Sequence, residues 1–254
     1  DLFNLLMVFG GKMAILQKGP ISESWKKVYR DKIIEAKRVA DPRFPSYEEI
    51  KKIYEFKPGL DDILDGNYKS TLRLFIFCRR NRDFPCLFTL KDMNNMPVLG
   101  EDGRDLWSQP ALAASYHGLP YNVINGQTPQ GIHRIDSVMP EANRYRAFGK
   151  YRRVILNWVP NVGDEDNLTK KFLPQVAHGS DWWKQASVSR DVGRSELRIH
   201  GTGKINPDPE STYYPFRKTS GCISQREGSY PDVEYNDQRL ILDQLMESLG
   251  LLPV

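Results

Sequence analysis

Cys222 and His200 are the residues of this chain best suited to covalent chemistry. Cys222 lies in Thr219-Ser220-Gly221-Cys222. A glycine just before a thiol lets the backbone turn sharply and brings unhindered amides beside the sulfur. Such amides can hold an oxyanion while the thiolate attacks a carbonyl. The thiolate needs a base, because a free cysteine titrates at about 8.5. Among the four histidines, His200 is the best candidate. It ends the short strand-like run Leu197-Arg198-Ile199-His200, and Gly201-Thr202-Gly203 follows, which would set its ring at a rim. A Cys–His pair then serves as nucleophile and base. The bland alternative is a buried packing cysteine and a satisfied histidine. His133, on a strand, and His117 and His178, near glycines, carry no pairing signal and read as structural.

Around the nucleophile, Arg217, Lys218 and Arg226 offer guanidinium and ammonium groups that hold carboxylates well, or else form a solvated basic loop. Tyr213-Tyr214 and Trp182-Trp183 are either groove walls or core aromatics. Metal chemistry has little support: there is no His-x-x-x-His or Cys-x-x-Cys spacing,. No phosphate-binding glycine–lysine loop occurs, and Gly201-x-Gly203 alone is too little for a dinucleotide site. The net charge of +4 is too weak and too dispersed to argue for nucleic acid, although it suits a polyanionic or carboxylate-rich partner,.

These residues need a body to position them. The 254 residues suffice for one large domain, or a domain with an extension,. With 17 prolines and 19 glycines, that body reads as β-rich and loop-rich,. No apolar run reaches the roughly 18 residues that span a bilayer; the run at 2–9 is too short. Residues 1–69 read as a helical N-terminal extension. An apolar face repeats near the helical period through 24–40, and Ser46-Tyr47-Glu48-Glu49 has capping-box spacing. From about 70 the pattern turns to strands: 72–77, 87–90, 132–135, 154–159 and 197–200. Residues 160–195 form a polar insert or cap. The tail from Asp237 to about 249 is an amphipathic helix with Asn236 as its N-cap. Cys78 and Cys86 end and begin two apolar runs around the polar stretch Arg79-Arg80-Asn81-Arg82-Asp83. In a hairpin their sulfurs could face each other as a disulfide, which implies an oxidising compartment, or stay as two reduced buried thiols. The chain starts at Asp1 rather than Met, which leaves room for an upstream export signal.

Ile199-His200-Gly201-Thr202-Gly203 followed by Thr219-Ser220-Gly221-Cys222-Ile223 resembles the signature of L,D-transpeptidase (YkuD-type) catalytic domains. Thr128-Pro129-Gln130-Gly131-Ile132 is similar to that family's Thr-Pro-x-Gly strand start. The resemblance covers roughly residues 70–235. It implies a mainly β, sandwich-like catalytic domain over 70–254, with an insert at about 141–195. It implies Cys222 as the acylated nucleophile, His200 as its base, the Gly201 carbonyl as the group that orients the imidazole, and the amides of Gly221 and Cys222 as oxyanion donors. The implied partner is the peptide stem of peptidoglycan, whose carboxylates Arg217, Lys218 and Arg226 would meet, with Thr219, Ser220 and Tyr214 nearby. No cofactor is implied, and the implied location is the periplasm or cell envelope. Two departures stand out. Ser220 replaces the family's usual histidine two places before the cysteine, and the loop at 201–218 is longer than usual. Members lacking that histidine include enzymes that cut wall linkages, so an L,D-carboxypeptidase or amidase stays open beside a transpeptidase. So does an inactive wall-binding module. The sequence does not indicate an oligomeric state.

Overall fold

The computed structural model describes residues 3–10, 71–159, 165–179, 182–230 and 232–251. It is mainly β with a few short helices. Its centre is an eight-stranded sheet in the order β4-β3-β2-β1-β5-β6-β7-β8. These strands are β1 (Phe3–Gly10), β2 (Leu72–Arg79), β3 (Cys86–Lys91), β4 (Ser108–Ala111), β5 (Gly131–Val138), β6 (Val154–Trp158), β7 (Arg198–His200) and β8 (Ile223–Ser224). Neighbours run antiparallel except β1 with β5 and β7 with β8. The near-continuous apolar sequences of β2 and β3 fit strands covered on both faces, and nearly every residue in them is buried,.

Just past β4, Leu112 exchanges both backbone hydrogen bonds with Ser224 of β8, at 3.0 and 2.8 Å. The two ends of the sheet therefore meet, so neither outer strand is left as a fully open edge. A hairpin of β9 (Glu227–Tyr230) and β10 (Val233–Asn236) follows β8. The chain then enters the helix at Asp237–Ser248, whose buried face carries Ile241, Leu242 and Leu245. Those side chains join Leu74, Ile76, Phe88, Leu156, Ile199 and Ile223 in the main core. Asn236 stands at the N-cap but makes no side-chain capping bond.

Cys78 and Cys86 form a disulfide, with Cα atoms 4.3 Å apart and both residues fully buried. The register pairs Phe77 with Leu87, so the two cysteines face each other directly across β2 and β3.

Phe3–Gly10 is a strand, not part of a helical extension. A short apolar run looks alike as helix or strand by periodicity alone. Here β2 and β5 take up its backbone groups on both sides. The helices expected over 24–40 and 46–54 lie outside the described residues. The insert holds short helical turns: α1 (Tyr145–Phe148), α2 (Glu165–Lys170), two 3-10 turns at Gln175–Ala177 and Trp182–Lys184, and α3 (Gln185–Asp191); the C-terminal helix is α4. Trp183 is core rather than groove wall, with its indole N–H donated to the Ala177 carbonyl at 3.2 Å. Among the described residues, no helix is long and apolar enough to cross a membrane.

Candidate active site

The parallel pair β7–β8 brings Cys222 and His200 together. Ile199 stands opposite Ile223, and His200 opposite Ser224. Side chains alternate across a strand, and partners in register share a face. Ile199 and Ile223 are both fully buried in the core. Arg198, His200, Cys222 and Ser224 therefore belong to the opposite face, and the first three line a cleft of about 640 Å³. Cys222 is half-buried at this cleft.

Gly221 makes the turn into Cys222, with φ at +110°. A Cβ there would come within 2.3 Å of Arg194 Nη2 and 2.6 Å of the Gly126 carbonyl oxygen. Only glycine fits both the conformation and the space. The loop is pinned from either side. Thr128 Oγ1 donates to the Gly221 carbonyl at 2.9 Å, and Thr219 Oγ1 donates to the Cys222 carbonyl at 2.6 Å. Thr128 belongs to the Thr-Pro-Gln-Gly segment, so that segment supports the Gly221-Cys222 turn directly.

His200 is buried, and its ring meets the edge of Phe148 at 4.9 Å between centroids. Its Nδ1 is hydrogen-bonded to the Gly201 carbonyl. A carbonyl only accepts, so Nδ1 carries the proton and Nε2 is the basic nitrogen. Burial lowers the His200 pKa to about 4; the Gly201 bond raises it in part, and the charges of Arg198 and Arg153 lower it further. The imidazole is neutral at pH 7.

Burial pushes the Cys222 thiol up. Hydrogen bonding from the Arg198 backbone and side chain, with the charges of Arg198 and Arg194, acts against that rise. The sulfur donates weakly to the Glu196 carbonyl at 3.8 Å. No hydrogen bond joins the sulfur to the His200 ring. The resting site therefore holds a neutral thiol and a neutral imidazole rather than a preformed ion pair. Proton transfer would accompany attack, in the manner of general-base catalysis.

Of the sequence candidates, Arg217, Thr219, Ser220, Cys222 and His200 all line the cleft. Gly201 holds the imidazole through its carbonyl. Gly221 shapes the loop, but its amide is donated to Thr219 Oγ1 at 3.2 Å and so is engaged in this structure. Three others are not brought in. Lys218 pairs with Asp83 at 2.6 Å. Arg226 pairs with Asp237 at 2.6 Å and lies over the Tyr235 ring. Tyr214 packs edge-on against Tyr230 at 4.8 Å. Local carboxylates and aromatic partners claim these side chains, and sequence proximity to Cys222 did not reveal them. Tyr213 packs on the small cluster of Leu112, Ala114 and Phe216. His133 is buried with its Nε2 on the Pro129 carbonyl, and His178 Nε2 lies 2.8 Å from the Lys170 carbonyl.

Sequence reasoning missed Arg198, Arg194, Glu196 and Phe148. Arg198 had a signal: two places before His200 on a strand, it must share that face. The others come from loops or the insert and carry no comparable sign. Glu196 sits at φ +60° and pairs with Arg198 at 2.9 Å. Among the described residues, five cations line the cleft, namely Arg146, Arg194, Arg198, Lys204 and Arg217, against one carboxylate, that of Glu196. Among the described residues, no group of three or more His, Cys, Asp or Glu gathers as a metal site. No family model, curated protein or solved structure matches the chain.

Proposed function

We propose that this chain is a cysteine-dependent acyl-transfer enzyme of the L,D-transpeptidase kind, with a sandwich-like catalytic domain acting on the peptide stems of peptidoglycan. One observation carries the reading: Cys222 and His200 share one face of the β7–β8 pair and one cleft, with His200 Nδ1 tied to the Gly201 carbonyl. His200 Nε2 takes the thiol proton as the sulfur bonds to the carbonyl carbon of an L-centre joined to a D-centre. The tetrahedral intermediate collapses, the imidazolium returns its proton to the leaving amine, and a Cys222 thioester remains. An amine acceptor then forms a crosslink, or water trims the stem as in a carboxypeptidase or amidase.

The surplus of cations in the cleft suits carboxylate-bearing stems,. The Cys78–Cys86 disulfide fits an oxidising compartment such as the periplasm or cell envelope,. A second reading, a wall-binding module without turnover, draws on the raised thiol and the missing bond between sulfur and imidazole.

Incubation with purified muropeptides, read by product mass, tests the proposal. Crosslinked or trimmed stems should appear, and the Cys222→Ala protein should give none. Binding of muropeptides with no new masses from the unmodified protein would leave the wall-binding module as the better reading.

A further inference from the structure

Glu227, the first residue of β9, is a buried carboxylate that the proposed reaction does not use. It is 7% exposed, and its Oε1 has no hydrogen-bond partner. Burying a carboxylate is costly unless it is hydrogen-bonded or takes up a proton, and burial pushes the Glu227 carboxyl up. Its surroundings show what it holds. A Cβ on Gly149 would come within 1.7 Å of Glu227 Oε2, and a Cβ on Gly201 within 2.6 Å of the carboxyl carbon. Two glycines from different segments therefore leave the slot that the Glu227 side chain fills. Gly201 supplies the carbonyl bonded to His200 Nδ1. Gly149 follows Phe148, whose ring lies edge-on to the imidazole. The Lys150 amide donates to Glu227 Oε2 at 2.9 Å and fixes that second segment. The Lys150 ammonium is turned to Glu234 at 3.5 Å, while the Lys150 and Tyr151 backbone and the Lys150 charge favour the ionised Glu227 carboxylate against its burial.

We propose that Glu227 is a positioning residue for His200: wedged between Gly149 and Gly201, it fixes both groups that orient the imidazole. It touches neither substrate nor sulfur. It acts from behind, by holding the Gly201 carbonyl and the Phe148 ring at a set distance from each other. The inference rests on the Cys–His reading only for its effect on rate.

The test compares Glu227→Gln and Glu227→Ala in the full chain. His200 ring titration is followed by NMR, and turnover is measured with a stem tetrapeptide ending in D-alanine. The charged groups facing the ring are Arg198 and Arg153, with Glu227 behind Gly201. In the alanine variant, water reaches the ring and the His200 pKa rises from about 4 toward the ordinary 6.5. Loss of a carboxylate charge alone would move it the other way. A misplaced base should lower kcat roughly 100-fold with KM changed less than about twofold. The glutamine variant keeps an acceptor for the Lys150 amide and should keep the wild-type His200 titration, with kcat within about threefold. An unchanged His200 titration in Glu227→Ala would overturn the proposal. So would equal losses in both variants that follow only the loss of folded protein. If Cys222→Ala still turns over the tetrapeptide, the assignment of the nucleophile fails, while the titration still decides the role of Glu227.

Discussion

The behaviour of the sulfur is set by which residue touches it. Its polar neighbours are Arg198, Arg194 and the Glu196 carbonyl, rather than His200. Alkylation of Cys222 by iodoacetamide should therefore be slow at pH 7 and climb through the alkaline range. Replacing His200 with alanine should barely change that labelling, because no ion pair exists to lose. Replacing Arg198 with glutamine removes the guanidinium charge while the backbone bond stays, and should slow labelling at pH 8 by up to about tenfold, the effect of one pKa unit. A labelling profile with an inflection below pH 7, abolished in His200→Ala, would contradict this picture. That Cys222 and His200 line one cleft fits the glycine beside each of them, since sharp turns at strand ends need glycine,. Which cations would meet them was not legible in the sequence. Arg217 reaches the cleft, yet Lys218 beside it and Arg226 are captured by Asp83 and Asp237. Asp83 lies far from Lys218 in the chain and Asp237 lies 11 positions past Arg226, so adjacency to Cys222 carries no record of either partner.

Among the elements, the β2–β3 hairpin has the most direct test. Cys78 and Cys86 close a loop with a sequence separation of 8. By loop entropy such a link is worth about 2.5 kcal/mol. Replacing both cysteines with alanine, or reducing the bond, should lower the unfolding free energy in urea by roughly that amount with the cleft residues in place. An unchanged midpoint would show that the bond does not hold the hairpin. This hairpin was readable beforehand, since two apolar runs flank a polar stretch. Strands β5, β6 and β7 and the helix at Asp237–Ser248 were readable for the same reason, a local pattern. β4 contains Pro110, β8 is two residues long, and β1 is set by its pairing with β2 and β5. Those strands depend on partners far away in sequence, and a local pattern cannot show that.

Across the whole molecule, two buried imidazoles link stability to pH. His133 and His200 are each pushed down to about 4, against 6.5 for an unburied imidazole, mainly by burial. Between those values the unfolded chain binds protons that the folded chain does not, so stability falls as pH drops from 6.5 toward 4. Each contributes roughly 2 kcal/mol of loss by pH 5. Glu227 is shifted upward by burial and takes up its proton sooner when folded, which offsets part of the fall. The Tm should drop on the order of 10 °C from pH 7.5 to 5, and His133→Gln should remove about half of the slope. A flat profile over that range would show that these rings titrate normally. The fold also gathers the cleft from several places: the β7–β8 pair, the loop at 193–196, the segment around Phe148, the stretch at 116–125 and the loop at 202–220. Its chemistry is read most directly by intact-protein mass spectrometry after brief exposure to a stem tetrapeptide ending in D-alanine. One acyl adduct should appear, mapped to Cys222, absent in Cys222→Ala and formed roughly 100-fold or more slowly in His200→Ala. An adduct on another residue, or one that forms at the same rate without His200, would contradict the account.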